Sequence, residues 1–430
     1  MTITRITLTV LLVLAGASLA FAGGERHHPR PSSHEVWTVD QSNSAGKASG
    51  GTLYVYNPRR LAEPEKIDLG GAAEELCLQK TTTAPVRPHM LLFNRSRTHA
   101  LLANVASGHV VFFDAAKRKP VGCVDAGVQA HAAVPSPDEN YALVANQNGK
   151  LLQRIRTDYR RNAFALEDAA TLDLATGVTP SGALRQEPAL RPDNAPICTL
   201  IESGGRFAFV TLRGGGLFVV DAQSTPMRIV AEYDKDAIHG NGCGGLEASG
   251  KMYVNSGGGT MANLSEFDVY AFPLHKFHKL RNPAPPNAPG ATLVLSLDEH
   301  EHTDSHGATL TRFGRYLWIA DRMGNRMIVI DTWTDELANE IPLVGPMSAD
   351  PAPDLMDASP RGDKVYVSFR GAIPLSGDPH ASTGDTPGLC VIKVSTSGRS
   401  GRIESITRIS NIGADGIERA DPHALRVRDL

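Results

Sequence analysis

The sequence predicts an all-β fold, a seven-bladed β-propeller closed by pairing of its N- and C-terminal strands. Three observations carry that prediction. A unit of four short β-rich runs, each ended by Gly, Asn or Asp, recurs with starts about 42 to about 69 residues apart. The chain of 430 residues holds 41 glycines and 28 prolines, while helical periodicity is scarce. Two strands near the N-terminus, 34–41 and 51–57, lack an inner partner, and the run 422–427 at the other end supplies one.

The unit is clearest from Asp304 to Pro342. Its first run begins at Ser305-His306, its second is Tyr316-Leu-Trp-Ile-Ala-Asp, its third Arg326-Met-Ile-Val-Ile-Asp, and its fourth Glu340-Ile-Pro-Leu. Comparable first runs start at His89, His131, Cys198, Cys243, Asp354 and His423. The segments Gly177 to Asp193, Pro273 to Pro289 and Gly371 to Pro387 have loop composition and read as insertions. Leu61 to Leu76 reads as a short helix or a loop.

The N-terminus has the form of an export signal over 1–22. Arg5 gives the positive charge, Ile6 to Leu19 the apolar core and Ala20-Phe21-Ala22 the cleavage pattern. Residues 23–33 then form a flexible lead-in, and 34–430 the propeller. The expected location is periplasmic or secreted, with no membrane association after signal cleavage. A formal charge of −3, without a basic stripe, gives no support to a nucleic-acid partner. Five cysteines (77, 123, 198, 243 and 390) would enter an oxidising compartment, where an odd number leaves one unpaired within the chain. Cys77 and Cys123, both read as outer-strand residues, are free to bridge without being required to.

Pro-His and Ala-His entering strands, Ser136-Pro-Asp-Glu-Asn140, Tyr141-Ala-Leu-Val-Ala-Asn and Met327-Ile-Val-Ile-Asp resemble the YVTN family of seven-bladed propellers. The resemblance covers nearly all of the chain beyond its leader. It implies the fold; the family spans lactonase-like enzymes, surface proteins and scaffolds.

In a propeller the first strand of every blade lines the central channel, so the residues heading those strands converge. Here they are four imidazoles, His89, His131, His306 and His423, with Cys198, Cys243 and Asp354. Burying four imidazoles about one axis is unfavourable unless something coordinates or hydrogen-bonds them. The four histidines are therefore expected to bind one transition metal, with copper favoured. Cys198 and Cys243 are either further ligands or a disulfide. Each histidine taken singly also fits simple packing against the next blade. The ends of the second strands return to the same face and carry Arg213, Arg322 and Arg370, an expected substrate-binding ring for a small or anionic ligand. The alternative for these arginines is pairing with acids such as Asp321 and Asp354. The run 298–306 adds His300 and His302, outer ligands or solvated loop residues.

The axial histidines resemble, more loosely, the copper-cluster propeller domain of nitrous oxide reductase. This chain has fewer of them, and it has no C-terminal cupredoxin. The resemblance implies that such a fold holds copper on its axis, as do the copper-dependent propeller oxidases of the selenium-binding-protein family. The functional expectation is an exported copper-binding protein or copper-dependent oxidoreductase. The alternatives are a binding scaffold engaging a protein partner, and a lactonase-like hydrolase using Arg213 with Glu247 or Asp357. No Gly-x-Ser-x-Gly elbow or phosphate-binding loop occurs.

Overall fold

The computed structural model describes residues 33–240, 242–257, 266–279, 288–297, 302–373 and 383–430. The expected signal peptide, His300 and parts of the insertions after Pro273 and Gly371 lie outside the described residues. Seven antiparallel sheets form the blades. Six are meanders of consecutive strands, and the seventh takes Pro422–Asp429 as its inner strand beside His34–Asp40, Thr52–Tyr56 and Glu65–Asp68. The propeller and its closure are as expected. The pairing sets Val36 opposite Val427 and Thr38 opposite Leu425.

Burial explains why the sequence alternates poorly in the middle strands and well in the outer ones. His99–Asn104, Tyr141–Asn146 and Tyr316–Asp321 are buried on both faces, because a neighbouring blade packs on each side. Gly401–Arg408, an outer strand, shows one face to water and carries charges there. The apolar clusters accordingly lie between blades. Trp318, Met327 and Val329 of one blade pack with Val365, Val367 and Cys390 of the next. Trp318 also donates its indole N–H to the Gly398 carbonyl, 2.9 Å away. The Cys390 thiol is free and fully buried, and burial pushes its pKa upward.

One short segment differs from expectation. Cys77 sits in a helix, Ala72–Thr81, not in a strand. The helix turns Ala73 and Cys77 inward and ends where Thr82 adopts a left-handed conformation and its N–H caps the Leu78 carbonyl. Cys77 bonds to Cys123 of the strand Lys119–Asp125, pinning the helix to the blade edge with Cα atoms 5.3 Å apart. The apolar moment of this stretch is too weak to announce a helix; a disulfide does the anchoring instead.

Closure depends on polar groups as well as the ladder. Asp40 Oδ1 accepts the backbone N–H groups of Ser42 and Asp421, and Gln41 N–H donates to the Asp421 carbonyl. Thr38 Oγ1 donates to the Ala424 carbonyl at 2.7 Å. Deleting residues 422–430 removes the Thr38–Ala424 bond and the ladder to the inner strand, and so exposes the edge of His34–Asp40. The truncated chain is expected to melt lower and to self-associate, read by calorimetry and size-exclusion chromatography. A monomer with an unchanged melting temperature would overturn the closure's structural role.

Candidate metal centre

The axial histidines and Asp354 occupy the same local position. His89, His131, His306, Asp354 and His423 are each the second residue of their inner strands, Pro88–Phe93, Ala130–Pro135, Ser305–Thr311, Pro353–Ala358 and Pro422–Asp429. At each of these positions the ladder register slips. Pro88 pairs with Asn104 but Met90 with Ala103; Ser305 pairs with Asp321 but Ala308 with Ile319. The same break flanks His131, Asp354, His423 and Cys198. A bulge turns a side chain that would otherwise lie in the plane between blades, here toward the axis. Gly307, beside His306, shows how tightly the strands approach: a Cβ there would lie 2.4 Å from the Asp354 carbonyl oxygen.

The sheet order makes the ring order readable. Successive inner strands bring His306, Asp354, His423, His89, His131, Cys198 and Cys243 around the channel. Two sets of three consecutive blades emerge, with His89 between them. His306, Asp354 and His423 offer ligand atoms all within 4.8 Å of one another, and so do His131, Cys198 and Cys243. Of the four histidines expected at one site, His306 and His423 converge with Asp354 and His131 with the two cysteines, while His89 touches both His423 and His131.

Hydrogen bonds fix which nitrogens are free. His423 Nδ1 lies 3.0 Å from the His89 carbonyl oxygen. A carbonyl only accepts, so Nδ1 carries the proton and Nε2 keeps its lone pair. His89 Nδ1 is 2.7 Å from Gln41 Oε1, while Gln41 Nε2 donates to Asp421 Oδ2 at 3.0 Å. The carboxylate sets the amide's orientation, so His89 Nδ1 is also protonated and its Nε2 faces His131 Nε2 at 3.3 Å. The rings of His89 and His423 stack with centroids 3.9 Å apart. Burial, reinforced by neighbouring imidazoles and Arg370, holds His89 well below the ordinary histidine range. Burial lowers His423 well below it too, against the pull of Asp354. Both are therefore neutral and able to donate an electron pair.

Asp354 stays ionised. Burial alone would raise its pKa, but His423, His306 and Arg370 hold it well below the usual carboxylate range. Arg370 is the cation that matters, because His423 is itself neutral. His306 Nδ1 approaches Asp354 Oδ1 to 2.5 Å, yet neither buried atom has an aligned hydrogen-bond partner. His423 Nε2 lies 3.8 Å from Asp354 Oδ2. Two imidazoles and a carboxylate gathered this way, with His306 Nδ1 and Asp354 Oδ1 lacking an aligned hydrogen bond, fit a first-row divalent ion. Carbonyls behind the ring are also tied down. Asn255 Nδ2 donates to the His306 carbonyl at 2.7 Å and Ser368 Oγ to that of His423 at 2.5 Å.

The arginines do not form the expected open anion pocket. Arg370 is fully buried, its NH1 2.8 Å from Asp354 Oδ2 and its Nε and NH2 at 2.5 and 3.0 Å from the two oxygens of Asp421. Arg322 is buried against Asp304, Nε to Oδ2 2.6 Å. Arg213 is exposed and engaged with Asp193 and Asn148. Desolvated guanidiniums need carboxylates, and the inner-strand heads supply them. Sequence reasoning missed Asp421. A signal was present: Asp-x-His occurs at both 304–306 and 421–423, and each of these acids meets an arginine ending a second strand.

The neutral histidines give a pH signature in chelator-treated protein. His89 and His423 titrate near 6.5 when unfolded and lower when folded. Their contribution is complete above about pH 6.5 and is lost as pH falls, at about 1.4 kcal/mol per unit for each histidine. Replacing both with glutamine is expected to flatten the acid limb of urea-midpoint against pH. An unchanged slope between about pH 6.5 and 5 would contradict the assignment.

No family model and no curated protein matches this chain. Solved structures do. A hypothetical selenium-binding protein from Sulfolobus tokodaii aligns at 10% identity and TM-score 0.61, covering 93% of this chain and 94% of that one. A protein from Lactobacillus plantarum aligns at 12% identity and TM-score 0.59, covering 92% and 99%. The periplasmic gluconolactonase of Pseudomonas aeruginosa aligns at 12% identity and TM-score 0.56, covering 93% and 100%. At such identities the likeness is one of fold, and the chain is a seven-bladed β-propeller.

Proposed function

We propose that this chain is an exported metal-binding propeller that holds a divalent transition metal on its axis through His306, Asp354 and His423. The observation carrying the reading is the convergence of these three groups, two of them buried, with His423 Nε2 left as a lone-pair donor by its Nδ1 bond. Two disulfides support export, since they persist in oxidising compartments. With Cys198 and Cys243 joined, no thiolate biases the site toward a soft ion. Imidazole plus carboxylate suits zinc as well as copper(II), so the ligand set does not by itself single out copper. A role in copper-dependent redox chemistry rests on copper being the ion taken up.

Titrating the chelator-stripped full chain with zinc and copper(II), followed by elemental analysis after gel filtration, tests the site. About one equivalent is expected for the wild type. Folded H306A/H423A protein, checked by circular dichroism, is expected to lose it, because two of three protein ligands are gone. Less than ~0.2 equivalents in the wild type, or full binding by the variant, would sink the proposal.

A second reading is a lactone hydrolase, favoured by the close His306–Asp354 pair and by the shared fold with the protein named a periplasmic gluconolactonase. The residues first considered for it are engaged elsewhere: Glu247 binds Ser203, and Asp357 accepts the Val427 N–H. Gluconolactone opening, followed by pH-stat, is expected to require His306. Absence of turnover by wild-type protein removes this reading.

A further inference from the structure

On the opposite arc, Cys198 and Cys243 form a disulfide beside His131. We infer that this bridge is a redox gate on a second metal site: its reduction releases two thiolates that, with His131, bind a thiophilic d¹⁰ ion such as zinc. The inference is independent of the His306–Asp354–His423 reading, sharing none of its ligands.

Geometry carries it. A ring nitrogen of His131 and both sulfurs lie within 4.8 Å of one another. A tetrahedral ion with metal–sulfur distances near 2.3 Å holds its two sulfurs about 3.8 Å apart. Opening the bridge to that separation needs each sulfur to move by only about 1 Å, within reach of side-chain rotation. The backbone does not rely on the sulfur–sulfur bond to hold the two cysteines close. Thr211 Oγ1 lies 3.1 Å from Cys198 N and 3.1 Å from the Gly242 carbonyl oxygen, clasping both segments from the neighbouring strand. The Cα atoms are 5.3 Å apart. Reduction therefore leaves a paired dithiol rather than two separating thiols.

Two thiolates and one imidazole supply three ligands, and a tetrahedral ion keeps its fourth position open. In the oxidised chain the sulfurs have no thiolate character, so this site is shut.

The chemistry balances with a dithiol as reductant. The Cys198–Cys243 bond breaks, two electrons and two protons pass from the dithiol to the sulfurs, and the reductant closes to its own disulfide. Metal binding then expels the two thiol protons and, by occupying both sulfurs, blocks their reoxidation. Cys198 and Cys243 are nearly inaccessible, so the attacking dithiol must enter through the channel mouth.

Cobalt(II) is the probe, used on the full chain under anaerobic conditions before and after dithiol reduction, with thiols counted. The oxidised chain is expected to show no thiolate-to-cobalt charge transfer. The reduced chain is expected to gain one equivalent of cobalt with that band, displaced by zinc. C198S/C243S protein is expected to lack the band in both states. If that variant does not fold, H131Q in the reduced state serves instead, with the band weakened and shifted. Wild type reduced until all five thiols are free but showing no band overturns the proposal, as does a band that persists in C198S/C243S, which would trace it to Cys77 and Cys123. Cobalt binding to the oxidised chain reports separately on the His306–Asp354–His423 site.

Discussion

One buried guanidinium organises the axis. Arg370 ends the second strand of its blade and bonds to Asp354 within that blade and to Asp421 at the start of the next inner strand. Through Asp421 it orients Gln41, and through Gln41 it sets the proton on His89. It also keeps Asp354 charged in a fully buried setting. Removing one partner from a buried ionic network of this kind costs about 3–5 kcal/mol, because the remaining charges stay desolvated. The same residue thus joins two blades, fixes an imidazole tautomer and supplies an anion to the candidate ligand set.

Much of this was legible in the sequence, and the reasons are physical. Middle strands such as Tyr316–Asp321 announce themselves because burial on both faces demands continuous apolar residues. Closure could be read because the pair of N-terminal strands lacked a partner that 422–427 could provide. The axial histidines were visible because each heads an inner strand. Their grouping was not, since it depends on blade order and on bulges, and a bulge leaves no residue signature at His89 or His131. The fate of the arginines was also hidden. Whether Arg370 faces a ligand or a carboxylate turns on the position of Asp421, 51 residues away. Cys77 was misplaced because Ala72–Thr81 lacks an apolar stripe strong enough to mark a helix.

The propellers that share this architecture differ from it in nearly nine residues of ten. What repeats among them is the packing of blades, which tolerates any inner-face chemistry at strand heads. In this chain those heads divide into a nitrogen–oxygen arc and a nitrogen–sulfur arc, and His89 touches both through His423 and His131. Chemistry on the axis is therefore decided by a handful of positions that the fold itself does not constrain.

The register at the ring's seam has a kinetic side. His423 and His89 are 334 positions apart, yet one imidazole bonds the other's carbonyl. A contact of that span forms late, after most intervening blades have condensed, because the chain entropy of closing so long a loop must be met first. Pairing of Pro422–Asp429 with His34–Asp40 completes the ring, so an ion bound through His423 as proposed would act as a latch on the closed state rather than as a nucleus for reaching it.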